Sequence, residues 1–231
     1  MPAIQFKQLS EQALFVEFGS AINAQTQQQI QQVVTALQQQ PFPGLLEIEP
    51  SYTNFCVYYD AFLVFKQLPS ADTIAKRVQI YIEQLLKNQV TPIHTTRRTI
   101  EIPVFYGGEY GPDLQEVADY NKLTADDVIR IHTSREYLVY MIGFAPGFPY
   151  LGGLDERLIT PRRATPRPRI AAGSVGIGGE QTGIYPFATP GGWQIIGRTL
   201  TPLFSLHNNP PTLLQAGDVV RFVEVKEDGS C

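Results

Sequence analysis

Apolar and polar positions alternate at two different periods along this chain, and the change of period divides it. IQFKQL and ALFVEF, within residues 4–18, predict a short pair of strands. The glutamine-rich segment AQTQQQIQQVVTALQQQ follows Asn23. It places Ile30, Val33, Val34 and Leu37 at i, i+3, i+4 and i+7, one face of a helix, so its glutamines form a solvated face and not a prion-like tract. Pro41 and Pro43 stop that helix. LLEIEP and NFCVYYD predict two strands around a turn at Pro50–Asn54. A second helix is expected from Asp72 to Lys87 with Ile74, Val78, Tyr81 and Leu85 inward. Strand, helix, strand, strand, helix is the succession of a small α+β sandwich of the ferredoxin-like kind. The polar stretch NQVTPIHTTRR, residues 88–98, predicts a linker.

Beyond the linker the pattern becomes short strands between turns. RTIEIPVFYGG opens with a strand, in which Pro103 argues for an edge position. Helices are expected at Pro112–Tyr120 and after Thr124, an N-cap candidate in LTADDVIRIH. EYLVYMIGF is a strong strand, and GDVVRFVEV closes the chain as another. Many short strands with Gly/Pro turns predict a mainly β barrel carrying two small helices. The expected domains are therefore residues 1–90 and 91–231.

Between Gly143 and Gly197 lie 12 of the 19 glycines, 7 of the 18 prolines and no lysine. Disorder would require low hydrophobicity, but Phe144, Phe148, Tyr150, Ile177, Ile184, Tyr185, Trp193 and Ile195 are interleaved here, so these are built loops, where function concentrates. Six of the 12 arginines fall in or just past the region (Arg157, Arg162, Arg163, Arg167, Arg169 and Arg198), against Asp155, Glu156 and Glu180. With a net charge of −4 the whole chain is not a nucleic-acid binder by charge. A local arginine patch suits a small carboxylate or phosphate gripped bidentately, or else pairs with acids elsewhere in the fold.

The remaining composition narrows the class. A chain of 231 residues, 43% hydrophobic and 17% charged, buries a real core. Lys7, Glu11 and Glu17 interrupt any signal-peptide pattern, and no apolar run reaches the length of a membrane span. Cys56, in a strand, is expected to be a small buried hydrophobe, and Cys231 to sit in a frayed tail, so no disulfide framework is expected and a cytoplasmic location fits. Gly176-Ile-Gly178 lacks the third glycine of a dinucleotide fingerprint, because position 181 is glutamine. Gly178 to Gly183 has Walker A spacing, but Ile184-Tyr185 replaces the Lys-Ser/Thr pair. No G-x-S-x-G elbow occurs, and His94, His132 and His207 have no zinc spacing, so no metal site is expected.

The long segments HTSREYLVYMIGFAPGFPYLGGL and GSVGIGGEQTGIYPFATPGGWQIIGRT resemble the family that includes the B component of 5-oxoprolinase, KipI and allophanate hydrolase subunit 1. So do YGGEYGPDL, the TPR repeats at Thr160–Arg162 and Thr165–Arg167, and AGDVVRF. The likeness is strongest from about residue 99 onward. It implies an N-terminal α/β domain followed by a cyclophilin-like barrel. It also implies a role in opening 5-oxoproline to glutamate, shared with a KipA-type sister chain (the C component) and a third chain (the A component). ATP with Mg is then a co-substrate of the complex. Two alternatives stay open: inhibition of a sensor histidine kinase, and a carboxyl-transfer role in urea or allophanate metabolism.

Under that resemblance, phosphoryl transfer to a lactam oxygen needs cations to spread charge. Arg198, Arg162 and Arg167 are the candidates. Gly191, Gly192 and Gly197 are expected to admit a ligand to Arg198, with Trp193 as one wall. Glu180 and Gln181, on a glycine-flanked tip, are candidates for orienting substrate or holding a metal. His132 is a candidate proton shuttle, or else a packing group at the end of its helix. Tyr185 and Trp193 either stack on a planar ligand or pack an interface. No nucleophile is evident, which suggests a site completed by a partner.

Overall fold

In a computed structural model, residues 4–20, 24–68, 70, 72–88 and 97–226 are described. They fall into two compact units, one up to residue 96 and the other from Arg97. Most of the expected linker, with His94, and the terminal Cys231 lie outside the described residues.

The first unit runs β1 (Gln5–Ser10), β2 (Ala13–Glu17), α1 (Ala24–Gln39), β3 (Leu45–Pro50), β4 (Asn54–Tyr59), α2 (Ala61–Gln67) and α3 (Ile74–Asn88). Its sheet has the order β1-β2-β4-β3, with every neighbouring pair antiparallel. Alternation sends Leu14 and Val16 of β2, and Phe55, Val57 and Tyr59 of β4, into one core with Ile30, Val33, Val34 and Leu37 of α1. Val78, Ile82 and Leu85 of α3 complete it, while Ile74 and Tyr81 pack at its margin. Cys56 is buried. The expected opening pair of strands is β1 and β2, and the chain order differs from the expected succession in that two helices follow β4. Helix α2 is the addition, and its seven residues, with Phe62 and Phe65 exposed, show no amphipathic stripe from which to expect it. It starts where the Asp60 carboxylate accepts from the N–H groups of Phe62 and Leu63. Arg77 of α3 secures the far end by donating to the carbonyls of Phe65, Leu68, Ser70 and Asp72.

The second unit contains β5 (Thr99–Tyr106), α4 (Leu114–Asn121), α5 (Ala125–Thr133), β6 (Glu136–Ile142), β7 (Pro149–Gly152), β8 (Arg167–Ile170), β9 (Ser174–Gly178), β10 (Gln181–Ile184), β11 (Thr189–Gly191), β12 (Gln194–Arg198) and β13 (Val219–Glu224). Seven strands close a barrel in the order β10-β7-β6-β13-β5-β12-β9, and β8 and β11 form a separate ribbon. Ile102, Val104, Val139, Leu151, Val175, Ile177, Ile184, Ile196, Val220 and Phe222 fill the core, together with Leu114 and Val117 of α4 and Val128 and Ile131 of α5.

Thr124 starts α5 through a capping box: its hydroxyl accepts from the Asp127 N–H at 3.1 Å and the Asp127 carboxylate accepts from the Thr124 N–H at 3.3 Å. The edge expected from Pro103 is not found, since β5 lies inside the closed barrel. The proline is tolerated because β12 pairs with β5 only at Phe105 and Tyr106, so on one flank of Pro103 there is no ladder to interrupt. Among the described residues no helix is long and apolar enough to cross a membrane.

The loop 143–148 between β6 and β7 is tightly tied. Gly143 N–H donates to the Phe148 carbonyl, Ala145 N–H to that of Gly143, and Phe148 N–H to that of Ala145. Within it Phe144 takes φ +66°, a left-handed conformation that costs a bulky residue about 1–3 kcal/mol.

Candidate functional site

Three glycines of the β9–β10 hairpin lie on one side of it. Gly176 pairs with Gly183, Gly178 pairs with Gln181, and Val175, Ile177 and Ile184 on the other side enter the barrel core. A Cβ on Gly178 would stand 2.5 Å from the indole nitrogen of Trp193. One on Gly183 would stand 2.9 Å from the same ring and 3.1 Å from Phe148. These glycines form a flat bed for Trp193. Gly191 is likewise filled by Ile170 and Tyr185, and Gly197 by Val104 and the Phe105 carbonyl, leaving Gly192 alone of these with no contact closer than 3.6 Å. The glycine-rich stretch is thus shaped for rings and strands to pack closely.

Over this bed a second, smaller core gathers Phe148, Ile170, Tyr185, Trp193 and Ile195, with Tyr150 beside it. Its rings meet edge to face: Phe148–Trp193 at 5.6 Å, Phe148–Tyr185 at 5.2 Å and Phe148–Tyr150 at 4.9 Å between centroids. Burial pushes the Tyr185 hydroxyl up to about 12. The exposed Arg162 lies over the outer face of Trp193, 5.8 Å from its ring.

The two TPR repeats carry their arginines to different ends. Arg167 of the second makes a fork on the buried Asp113 carboxylate, at 2.7 and 2.6 Å. Arg163 adds a third contact at 3.0 Å, and the Ile195 N–H of β12 a fourth at 2.6 Å. One turn into α4, Glu116 accepts from Arg163 at 3.1 Å and from Gln194 Nε2 at 3.3 Å. The strap of residues 161–167 is thereby fastened to α4 and β12. Arg167 is committed to this fastening, as the reading of the patch as partly structural allows. Asp113, Arg163, Glu116 and Gln194 are not among the candidates that the sequence points to. The available signal is the local surplus of arginine, which requires an acid from another segment.

Arg198 stands at the other end of β12 from Trp193, five extended residues or about 16 Å away. Trp193 is therefore no wall for Arg198, and the two cations Arg162 and Arg198 do not share one small ligand. Arg198 is half-buried, and its Nε donates to the Ala172 carbonyl at 2.8 Å. Glu180 is exposed at the two-residue tip between Gly178 and Gln181, and Gln181 is half-buried. Among the described residues no group of three or more His, Cys, Asp or Glu is placed to hold a metal.

His132 is far from solvent. The Thr182 hydroxyl donates to the Gly176 carbonyl, so its oxygen accepts from His132 Nε2–H at 3.0 Å, and His132 Nδ1 accepts from the Tyr106 hydroxyl at 2.7 Å. Phe222 stacks on the ring at 4.5 Å. Burial lowers its pKa from 6.5 to about 3, so the imidazole is neutral, enclosed by Tyr106, Thr182 and Phe222.

The packing of the glycine bed can be tested directly. Gly178→Ala forces a methyl into the indole ring and is expected to destabilise the chain by about 1–3 kcal/mol. The emission of Trp193, the single tryptophan, should shift to the red as the ring leaves its bed. Unchanged stability and emission would show that the bed is not packed. For His132, the unfolded chain binds a proton near pH 6.5 and the folded ring near 3. The unfolded state therefore binds more protons between those values, and stability falls as pH drops through that window by about 1.4 kcal/mol per unit. His132→Gln, which keeps a donor and an acceptor, should flatten the slope of stability against pH between 6 and 4. An identical slope in the variant refutes the neutral buried ring. Loss through the Asp155 carboxylate, held well below the usual range by Arg157 and then Arg135, is common to both proteins.

The model of the carboxyltransferase domain, subdomain C and D, matches residues 4–214. The B component of the 5-oxoprolinase of Bacillus subtilis is 49% identical over 224 residues, covering 96% of this chain and 93% of that protein. The protein of the same name from Escherichia coli O157:H7 is 43% identical and covers 96% of each. Among solved structures, the crystal structure of TTHA0988 superposes with a TM-score of 0.79 at 33% identity over 95% of this chain. The chain spans only 41% of that protein's length. By the extent of these matches, the chain belongs to the carboxyltransferase domain, subdomain C and D, family.

Proposed function

We propose that this chain is the B component of a cytoplasmic, ATP-dependent 5-oxoprolinase, opening 5-oxoproline to L-glutamate together with a KipA-type C component and an A component. The observation that carries this reading is the near-full-length likeness to the B. subtilis protein. The proposed architecture is a small α/β unit over residues 1–90 and a cyclophilin-like barrel over 91–231. In the first unit, β2 and β3 flank β4 and β1 fills the remaining edge, which supports a ferredoxin-like sheet whose last strand has moved to the front. Prolyl isomerase activity does not follow from the barrel, because fold does not carry function.

5-Oxoproline offers a carboxylate and a flat, partly apolar ring. Arg162, above Trp193 and with no carboxylate partner among the described residues, supplies a cation beside an aromatic wall that matches both. The glycine segment does not fit a nucleotide: Trp193 and Phe148 cover its bed, and the Walker lysine is absent. Phosphate handling therefore falls to the partner chains in this proposal, and Arg198 has at most an accessory place. A second reading, carboxyl transfer, is favoured by the description of the family itself.

The purified chain should yield glutamate from 5-oxoproline and ATP only when mixed with the A and C components, and those two should be inactive without it. Full activity in its absence rejects the proposal, and biotin-dependent carboxyl transfer in its place supports the second reading. Arg162→Ala removes a charge-assisted contact worth about 1.5–3 kcal/mol, a loss in kcat/KM of about ten- to a hundredfold. Lysine should restore little of it if the grip is a fork. Arg198→Ala should stay within about threefold of wild type, by the same conversion. The reverse ranking of the two variants would move the substrate to the other end of β12.

A further inference from the structure

A hollow of about 230 Å³ lies against α3 in the first unit. Arg77, Ile80, Tyr81 and Gln84 line it at i, i+3, i+4 and i+7, one face of that helix, and Leu68 and Ser70 line it from the segment that follows α2. For scale, a cavity of about 150 Å³ holds benzene. The hollow therefore has room for a compact organic molecule.

The charge in its wall is not balanced. Arg77 is 9% exposed, the one buried arginine among the described residues. Its Nε donates to the Asp72 carbonyl at 3.0 Å, its Nη1 to the carbonyls of Phe65 and Leu68 at 2.9 Å each, and its Nη2 to that of Ser70. The Phe65 ring covers one face of the guanidinium at 5.1 Å. All four acceptors are neutral, and no carboxylate among the described residues pairs with this cation. Carbonyl dipoles solvate a charge without cancelling it, and buried charges are ordinarily paired. A guanidinium has five N–H groups, so one on Nη2 is left unengaged.

The other groups of the wall narrow the class of ligand. Leu68, Ile80 and the Tyr81 ring supply apolar surface, and the Tyr81 hydroxyl is already given to the Gln40 carbonyl at 3.0 Å. Gln84, two turns along α3 from Arg77, is exposed, and its side-chain amide has no partner among the described residues. The Asp72 carboxylate accepts from the Ser70 hydroxyl at 2.7 Å, which sets a negative charge beside Ser70 at the rim. That charge opposes an anion carrying more than one charge of its own.

We propose that this hollow is a binding site for a small monocarboxylate with a compact apolar body. The carboxylate takes the free N–H and the charge of Arg77, with the Gln84 amide as a second donor, and the body lies on Leu68, Ile80 and the Tyr81 ring. The site belongs to the first unit, far in sequence from Arg162 and Trp193, and does not depend on the activity proposed above.

The test uses the full chain at constant ionic strength, with butyrate as the probe, 1-butanol as its neutral counterpart and inorganic phosphate as a competing anion. Butyrate should shift the backbone amide resonances of Leu68, Ser70, Arg77, Ile80 and Tyr81 along a saturating curve. Butanol, which lacks the charge, should bind at least about tenfold more weakly. Because Arg77 also fastens α2, the variants leave it in place. Gln84→Glu, at an exposed position, sets a like charge at the mouth and should weaken butyrate at least about tenfold with little change in melting temperature. Gln84→Lys should bind butyrate at least as well as wild type. Ile80→Trp should close the hollow and abolish saturation; if that variant does not fold, the two Gln84 variants decide alone. Shifts that rise without saturating, butanol binding as tightly as butyrate, or equal affinity in the two Gln84 variants would each overturn the site. Phosphate binding more tightly than butyrate would overturn the monocarboxylate class.

Discussion

One buried carboxylate organises the side of the barrel unit that carries the strap and the aromatic layer. Asp113 accepts a fork from Arg167, a contact from Arg163 and the backbone N–H of Ile195. Its own N–H donates to the Ile195 carbonyl at 2.8 Å. A charge buried to this degree is tolerated only when its oxygens are fully engaged, which fixes the partners as tightly as it stabilises them. The strap, the start of α4 and the start of β12 are therefore one mechanical piece. Arg162 and Trp193, the residues adjoining Arg163 and Gln194, take their positions from it.

The glycines show how a motif can mislead. Glycine density invites a picture of loops opened for phosphate or substrate, and the near-miss Walker spacing strengthens it. Here the missing side chains are replaced by the protein's own indole and phenyl rings. The same economy of space that would admit a ligand has been used to lay one sheet face against an aromatic layer, and the cation of Arg162 remains outside that layer.

The fold is legible in the sequence where one periodicity dominates. The face Ile30, Val33, Val34 and Leu37, the strands LLEIEP and NFCVYYD, and the Thr124 cap all act through neighbours a few residues away, and local pattern records such neighbours. Helix α2 leaves no such record because its stability comes from Asp60 at one end and Arg77 at the other, with little amphipathic signal between. The edge expected at Pro103 fails because a closed barrel still contains stretches of strand with one partner. At the site, the aromatic residues and Arg162 can be read from their segment, but their partners cannot. Asp113 lies some fifty residues before the arginines it holds, and no spacing rule joins them. Arg198 and Trp193 are neighbours in sequence only, because an extended strand converts that nearness into distance.

Strand β13 lies between β6 and β5, pairing antiparallel with one and parallel with the other, and it is the last strand of the unit among the described residues. Until residues 219–224 have been synthesised, both neighbours present open hydrogen-bonding edges, and the sheet is a curved ribbon with Ile102, Val104 and Val139 lacking a lid. Closure of the barrel therefore waits for its most C-terminal strand. During translation, the interval before it is the period in which the barrel's strands are most open to pairing with other chains, and in which a chaperone or an assembly partner would have the most to protect.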